Sequence, residues 1–148
     1  MVSVVRSRVI AASSDEVWAA LSDFASISAW APNVDHSCLL TEQTEGVGTT
    51  RRIQTGRITL VETVETYEPG RTLAYRLTGL PPVIRSVTNT WQLAPSGDQT
   101  SATLTSQIDA GPRLPQKAIA RAVGRRLGAA SEQMLDGLAA HFAPEAGA

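Results

Sequence analysis

The segment from Gln116 to Phe142 constrains this chain more than any other. It has helical periodicity and follows a long series of strand-like segments. Ile119, Val123, Leu127, Ala130, Met134, Leu138 and Phe142 recur at steps of three and four, which predicts one apolar helical face. Lys117, Arg121, Arg125, Glu132 and Asp136 are expected on the opposite face. A helix with such a stripe needs a concave partner, and the preceding strands are the only candidate. A curved antiparallel sheet gripping one helix often leaves an interior space, and an interior space can hold a ligand.

Those strands are legible from residue type and turns. Val2 to Ile10 reads as a first strand. Ser13 or Ser14 then caps a short helix carrying Asp15 and Glu16 at its positive end, followed by Val17, Trp18, Leu21 and Phe24. A second helical turn spans Ser26 to Trp30 and stops at Pro32. Six strands follow, at Val34–Thr41, Thr49–Gln54, Ile58–Tyr67, Leu73–Thr78, Arg85–Leu93 and Ser101–Ala110. The turns between them carry Gly46, Gly48, Gly56, Pro69-Gly70, Gly79 to Pro82 and Pro95 to Asp98. The expected class is α+β: a seven-stranded curved antiparallel sheet around a long C-terminal helix, with two short helices after the first strand. One domain is expected over 1–142, with a loose tail at 143–148.

Length and charge narrow the function classes. At 148 residues, 43% of them hydrophobic, the chain has enough material for one real core. A net charge of −1 with dispersed arginines gives no field for nucleic acid. No apolar run approaches the ~18 residues of a membrane span, so no stable membrane insertion is expected. A single cysteine, Cys38, excludes an internal disulfide and fits a reducing compartment. With an N-terminus too short and too charged for a signal peptide, the expectation is a cytoplasmic protein. A homodimer is compatible with all of this.

Strand alternation assigns inward side chains. Val87, Asn89, Trp91 and Leu93 share one face; Leu73, Tyr75 and Leu77 share another. Ile58, Leu60, Glu62 and Val64 form a third inward row, Val47, Thr49, Arg51 and Ile53 a fourth, and Ala102, Leu104, Ser106 and Ile108 a fifth. A turn at Thr55-Gly56 would pair Arg51 with Leu60 and place Glu62 diagonally. A register with Leu73 beside Trp91 puts Tyr75 beside Asn89. Arg51, Glu62, Tyr75 and Asn89 then become polar tips on an apolar wall. Singly, each also fits a structural role: an edge salt bridge, a satisfied core hydroxyl, an amide at a sheet bend. Together they imply partners, water or a ligand, because an unpaired buried polar group costs ~1–3 kcal/mol.

The expected cavity is lined by Trp30, Arg51, Ile53, Leu60, Glu62, Tyr75, Leu77, Val87, Asn89 and Trp91 from the sheet side. Val123, Leu127 and Met134 line it from the helix. Gly79 to Ile84 and Trp30 to Val34 would flank its mouth. Gly124 and Gly128 either widen the cavity or permit close contact with the sheet, or else they face solvent and merely weaken the helix. No cofactor and no metal is expected. His36 and His141 share no ligand spacing, and one cysteine cannot complete a zinc site. No G-x-S-x-G, Walker A or G-x-G-x-x-G occurs.

Several segments carry a family resemblance. They are Ala12 to Trp18, Leu21 to Phe24, Trp30 to Pro32, Gly46 to Thr49, Tyr67 to Tyr75 and Thr90 to Leu93. With them the chain resembles the helix-grip superfamily of START and birch-pollen-allergen-like (SRPBCC) proteins. Within it, the chain is most similar to the bacterial polyketide cyclase/dehydrase and lipid-transport family. The resemblance implies a cavity between sheet and helix that takes lipids, sterols, polyketides or plant hormones, with cyclisation or dehydration in some members. Two functions follow as expectations. The first is a non-enzymatic carrier or sensor of a hydrophobic small molecule. The second is a polyketide cyclase or dehydratase with Glu62 and Tyr75 as candidate catalytic groups and Arg51 or Asn89 stabilising an enolate. A third class, a protein-interaction module, would use Lys117, Arg121 and Arg125.

Overall fold

Val2–Ile10 forms β1. Helix α1 (Ser14–Ser22) starts at Ser13, whose hydroxyl accepts from the Glu16 N–H at 3.2 Å, and Asp15 and Glu16 occupy its positive end. A 3₁₀ segment over Phe24–Ala29 follows and buries Phe24 and Ile27. Then come β2 (His36–Leu39), β3 (Thr50–Thr55), β4 (Ile58–Glu68), β5 (Thr72–Thr78), β6 (Ser86–Ser96) and β7 (Gln99–Asp109). Helix α2 (Leu114–Phe142) ends the fold. The computed structural model describes residues 1–143, so of the expected tail residues 144–148 lie outside the described residues.

The seven strands form one antiparallel sheet in the order β1-β7-β6-β5-β4-β3-β2. With α2 across its concave face, the fold is the α+β helix grip expected from the pattern. The β5–β6 register is also as expected, with Leu73 opposite Trp91 and Tyr75 opposite Asn89. The β3–β4 hairpin differs. Its turn is Gly56-Arg57, not Thr55-Gly56, so Arg51 lies directly opposite Glu62 instead of diagonal to it. Gly56 has φ +62°, and a two-residue hairpin turn needs positive φ at its first central position; Thr55 stays in the strand. A register shift between Val64 and Thr66 bends β4 and adds to the sheet's curvature. β6 runs through Ala94-Pro95-Ser96, beyond its expected end, and pairs Pro95 with Thr100.

Two inward rows lose their outer members: Val47 and Ile58 are exposed at the sheet rim. Cys38 and His36 are exposed on β2, an edge strand.

The seating of α2 is the largest departure from the sequence reading. Its fully buried positions include Ala120, Gly124, Gly128 and Ser131, which are small. Val123 and Leu127 from the expected stripe are only half-buried. The small face settles onto β1. A Cβ at Gly124 would lie 3.2 Å from a Val4 methyl, and one at Gly128 would lie 3.0 Å from the other. Both glycines therefore serve close contact and do not face solvent. The close backbone contacts of α2 with the sheet concentrate on β1 and β7. Glu132 and Asp136, expected on the face opposite the apolar stripe, pair with Arg6 and Arg8 of β1 and reinforce that side. At the other end, Gly137 backs onto the Trp30 carbonyl and the Pro32 ring, where a Cβ would collide.

This collision reverses the sign that helix propensity alone predicts. Alanine should stabilise a helix interior by up to ~1 kcal/mol relative to glycine. Gly137→Ala is instead expected to destabilise by ~1–3 kcal/mol through overpacking. Gly124→Ala, which meets movable methyls of Val4, Val2 and Ile108, should be close to neutral. Urea denaturation of the two variants checks this, and a stabilised Gly137→Ala would mean that α2 does not bear on Trp30.

Candidate functional site

The concave face has a filled half and an open half. In the filled half the 3₁₀ segment drops Phe24 onto the sheet. The Arg51 guanidinium lies 3.6 Å from the Phe24 ring centroid and 4.8 Å from that of Tyr75. Its Nε donates to Glu62 Oε1 at 2.7 Å, and Nη1 donates to the Phe24 carbonyl at 3.1 Å. Both members of this ion pair are buried, at 2% and 3% side-chain exposure. The Tyr75 hydroxyl accepts from the Trp91 indole N–H at 3.2 Å. Trp30 stands edge-on to Trp91, with ring centroids 6.0 Å apart.

Burial first, and the Glu62 charge second, push the Tyr75 hydroxyl up to about 12. Arg51 and the hydrogen bonds with Trp91 and Asn89 pull the other way and do not prevail.

The open half is a cavity of about 380 Å³ between β3–β6 and α2. Ile53 and Thr55 of β3, Leu60 and Glu62 of β4, Leu77 of β5 and Asn89 of β6 form its floor. Val123, Arg126, Leu127, Ala130, Ser131 and Met134 of α2 form its roof. Ile27, Asn33 and Val34 close one side. Ile58, Leu80 and Pro81 border it where the surface is exposed or partly so, which marks the mouth. Asn89 Oδ1 accepts from Ser106 at 2.6 Å. Asn33 Oδ1 is buried without a hydrogen-bond partner among the described residues. The volume falls at the small end of ligand pockets, which run from ~300 to ~1,000 Å³.

The expected lining residues therefore divide. Ile53, Leu60, Glu62, Leu77, Asn89, Val123, Leu127 and Met134 share the cavity wall. Trp30, Arg51, Tyr75, Val87 and Trp91 are buried outside that wall. The Phe24 ring packs on both Arg51 and Tyr75, and none of the three borders the open space. Alternation puts a side chain on the concave face but does not reveal which part of that face a neighbouring segment fills.

Sequence reasoning missed Arg126, Ala130 as a wall residue, Ser131, Ile27 and Thr55. The α2 signal was present, since 123, 126, 127, 130, 131 and 134 follow helical spacing. Arg126 was passed over because a charge in an amphipathic helix reads as solvent-facing. The two histidines lie away from the cavity, with His141 stacked edge-on against Phe142 near the end of α2. Among the described residues no group of His, Cys, Asp and Glu is arranged to hold a metal ion, and no helix is long and apolar enough to cross a membrane.

A sheet that grips a C-terminal helix over an internal cavity defines a helix-grip protein. A family model for polyketide cyclase / dehydrase and lipid transport matches residues 1–143, and the chain belongs to that family. No curated protein sequence matches it. Among solved structures, a solution structure from Thermobifida fusca is 24% identical, with a TM-score of 0.81 over 96% of this chain and 93% of that one. The ZhuI aromatase/cyclase from a Streptomyces species is 20% identical, with a TM-score of 0.74 over 95% and 93% of the two chains. The di-domain ARO/CYC StfQ of the steffimycin biosynthetic pathway is 18% identical, with a TM-score of 0.74 over 95% of this chain and 50% of that one. At these identities the likeness concerns the fold.

Two outcomes test the buried network. Removing one member of the Arg51–Glu62 pair strands a charge, so Arg51→Met or Glu62→Gln should each cost ~3–5 kcal/mol. The double variant Arg51→Met/Glu62→Gln should recover most of that loss, as read by urea denaturation; additive effects would mean that the pair is solvated. The raised Tyr75 pKa also sets an alkaline dependence. The unfolded chain loses this proton near 10 while the folded chain keeps it. The contribution is whole below about pH 10 and shrinks toward pH 12, by ~2–3 kcal/mol in total. Relative to Tyr75→Phe, the wild-type protein should therefore lose stability steadily above pH 10, and parallel curves would show that Tyr75 is not shielded.

Proposed function

We propose that this protein binds and carries or senses a hydrophobic small molecule, lipid-like or polyketide-like, in the cavity between β3–β6 and α2. The single observation that supports this most is the cavity itself. Its wall is mostly aliphatic, with a few fixed polar groups at Glu62, Asn89 and Asn33. That is the usual make-up of a small-molecule site. Apolar walls supply affinity, and the polar groups select orientation, since each must be matched or left unpaired.

The family and the likeness to two aromatase/cyclases favour a second reading, cyclisation or dehydration of a bound polyketide. Among the described residues Glu62 is the one carboxylate in the wall, and it would move the proton. Tyr75 suits the donor role poorly, being shielded by Phe24 and raised in pKa.

Mass spectrometry of small molecules extracted from the purified protein tests both readings. A hydrophobic compound should co-purify with the wild-type protein and be absent from Ala130→Trp, whose indole would fill the cavity without touching the filled half. Retention of the same compound by that variant would contradict the assignment. Turnover is read by adding a poly-β-ketone substrate: recovery of a product lacking one water favours the cyclase, and recovery unchanged favours the carrier.

A further inference from the structure

Among the described residues the cavity wall holds two ionisable groups, Glu62 and Arg126, and they lie at different depths. Glu62 is 3% exposed, whereas Arg126 is exposed on α2 at the rim. None of the ion pairs among the described residues includes Arg126. Arg51 stands behind Glu62 and is not part of the wall, so this neutral pair presents only its carboxylate side to the cavity. Asn33 adds a second buried acceptor with no donor opposite it. At Glu62 and at the Asn33 oxygen the wall thus offers acceptors, and the exposed side of α2 offers a cation.

From this polarity we infer that the ligand is an amphiphilic anion. Its leading end carries an O–H or N–H donor for Glu62 and Asn33. Its body is a fused-ring or short-chain hydrocarbon packed on Ile53, Leu60 and Leu77. Its trailing end is a carboxylate or similar oxyanion held by Arg126 at the mouth. The reverse orientation is disfavoured, because an anion driven inward would meet the Glu62 carboxylate with its Arg51 counter-ion on the far side. A guanidinium is well suited to the outer end, since it engages a carboxylate through two parallel N–H donors. The inference rests on the small-molecule reading of the cavity and adds the chemical class.

Three matched probes separate the two ideas: 6-hydroxy-2-naphthoate, 2-naphthol without the carboxylate, and 2-naphthoate without the hydroxyl. Each is titrated calorimetrically at neutral pH and low ionic strength into wild-type protein and Arg126→Gln. Arg126 is exposed, so its replacement leaves the core intact. Wild-type protein should bind 6-hydroxy-2-naphthoate about tenfold tighter than 2-naphthol, as expected for one charge-assisted contact. It should also bind it several-fold tighter than 2-naphthoate. Arg126→Gln should bring 6-hydroxy-2-naphthoate and 2-naphthol level. Equal affinities for those two in wild-type protein would overturn the anion assignment, a preference that survives Arg126→Gln would overturn Arg126 as the group that holds the anion, and either result leaves the small-molecule site standing. Equal affinities for the two naphthoates would overturn the donor end. Absence of binding by all three, 2-naphthol included, would count against the cavity as a small-molecule site and so against both readings.

Discussion

The off-centre seating of α2 is the constraint on which the rest depends. Gly124 and Gly128, with the small buried Ala120 and Ser131 beside them, form a narrow face that lets the helix sink onto β1. Ion pairs from Arg6 and Arg8 to Glu132 and Asp136 hold the same side. A helix this close to one margin of a wide curved sheet cannot also fill the space over the opposite strands. The larger residues Val123, Leu127 and Met134 overhang that space without closing it. The cavity is thus a consequence of where small side chains fall on α2. Bulk on the β1 side would lift the helix and change its volume.

What keeps the rest of the concavity from being a larger void is the 3₁₀ segment. Phe24 and Ile27 plug it from the side, and Phe24 closes over the Arg51–Glu62 pair. Burying two charges is costly unless their hydrogen-bonding capacity is met. Here Arg51 is shared between Glu62 and the Phe24 carbonyl and lies against the rings of Phe24 and Tyr75. The pair ties β3, β4 and the 3₁₀ segment at one point. It also turns one carboxylate toward the open half, so the same interaction that consolidates the core sets the polarity of the site.

Much of this was legible in the chain. Turn chemistry at Glu68-Pro69-Gly70-Arg71 and the alternation in β5 and β6 placed Tyr75 beside Asn89 correctly. The helix-grip order followed from strand-like runs ending in one amphipathic helix. The β3–β4 register was missed because both Thr55 and Arg57 flank Gly56 plausibly, and only pairing across the hairpin decides between them. The buried face of α2 was misread because glycine and alanine carry little weight in an apolar stripe, although they mark the closest approach. The division of the concave wall was not legible at all. It depends on Phe24 packing against residues distant in sequence, a tertiary fact with no local signature.

The chain contains only two methionines, Met1 and Met134, which permits a direct test of the cavity as the binding site. Met134 lies in the cavity wall, and Met1 is exposed at the N-terminus. Protein labelled with ¹³C at the methionine methyls should give two resolved signals. Titration with the neutral apolar probe N-phenyl-1-naphthylamine should shift the Met134 signal saturably and leave Met1 in place. A probe that binds while the Met134 signal stays fixed, or one that moves Met1 alone, would contradict a ligand site between the sheet and α2.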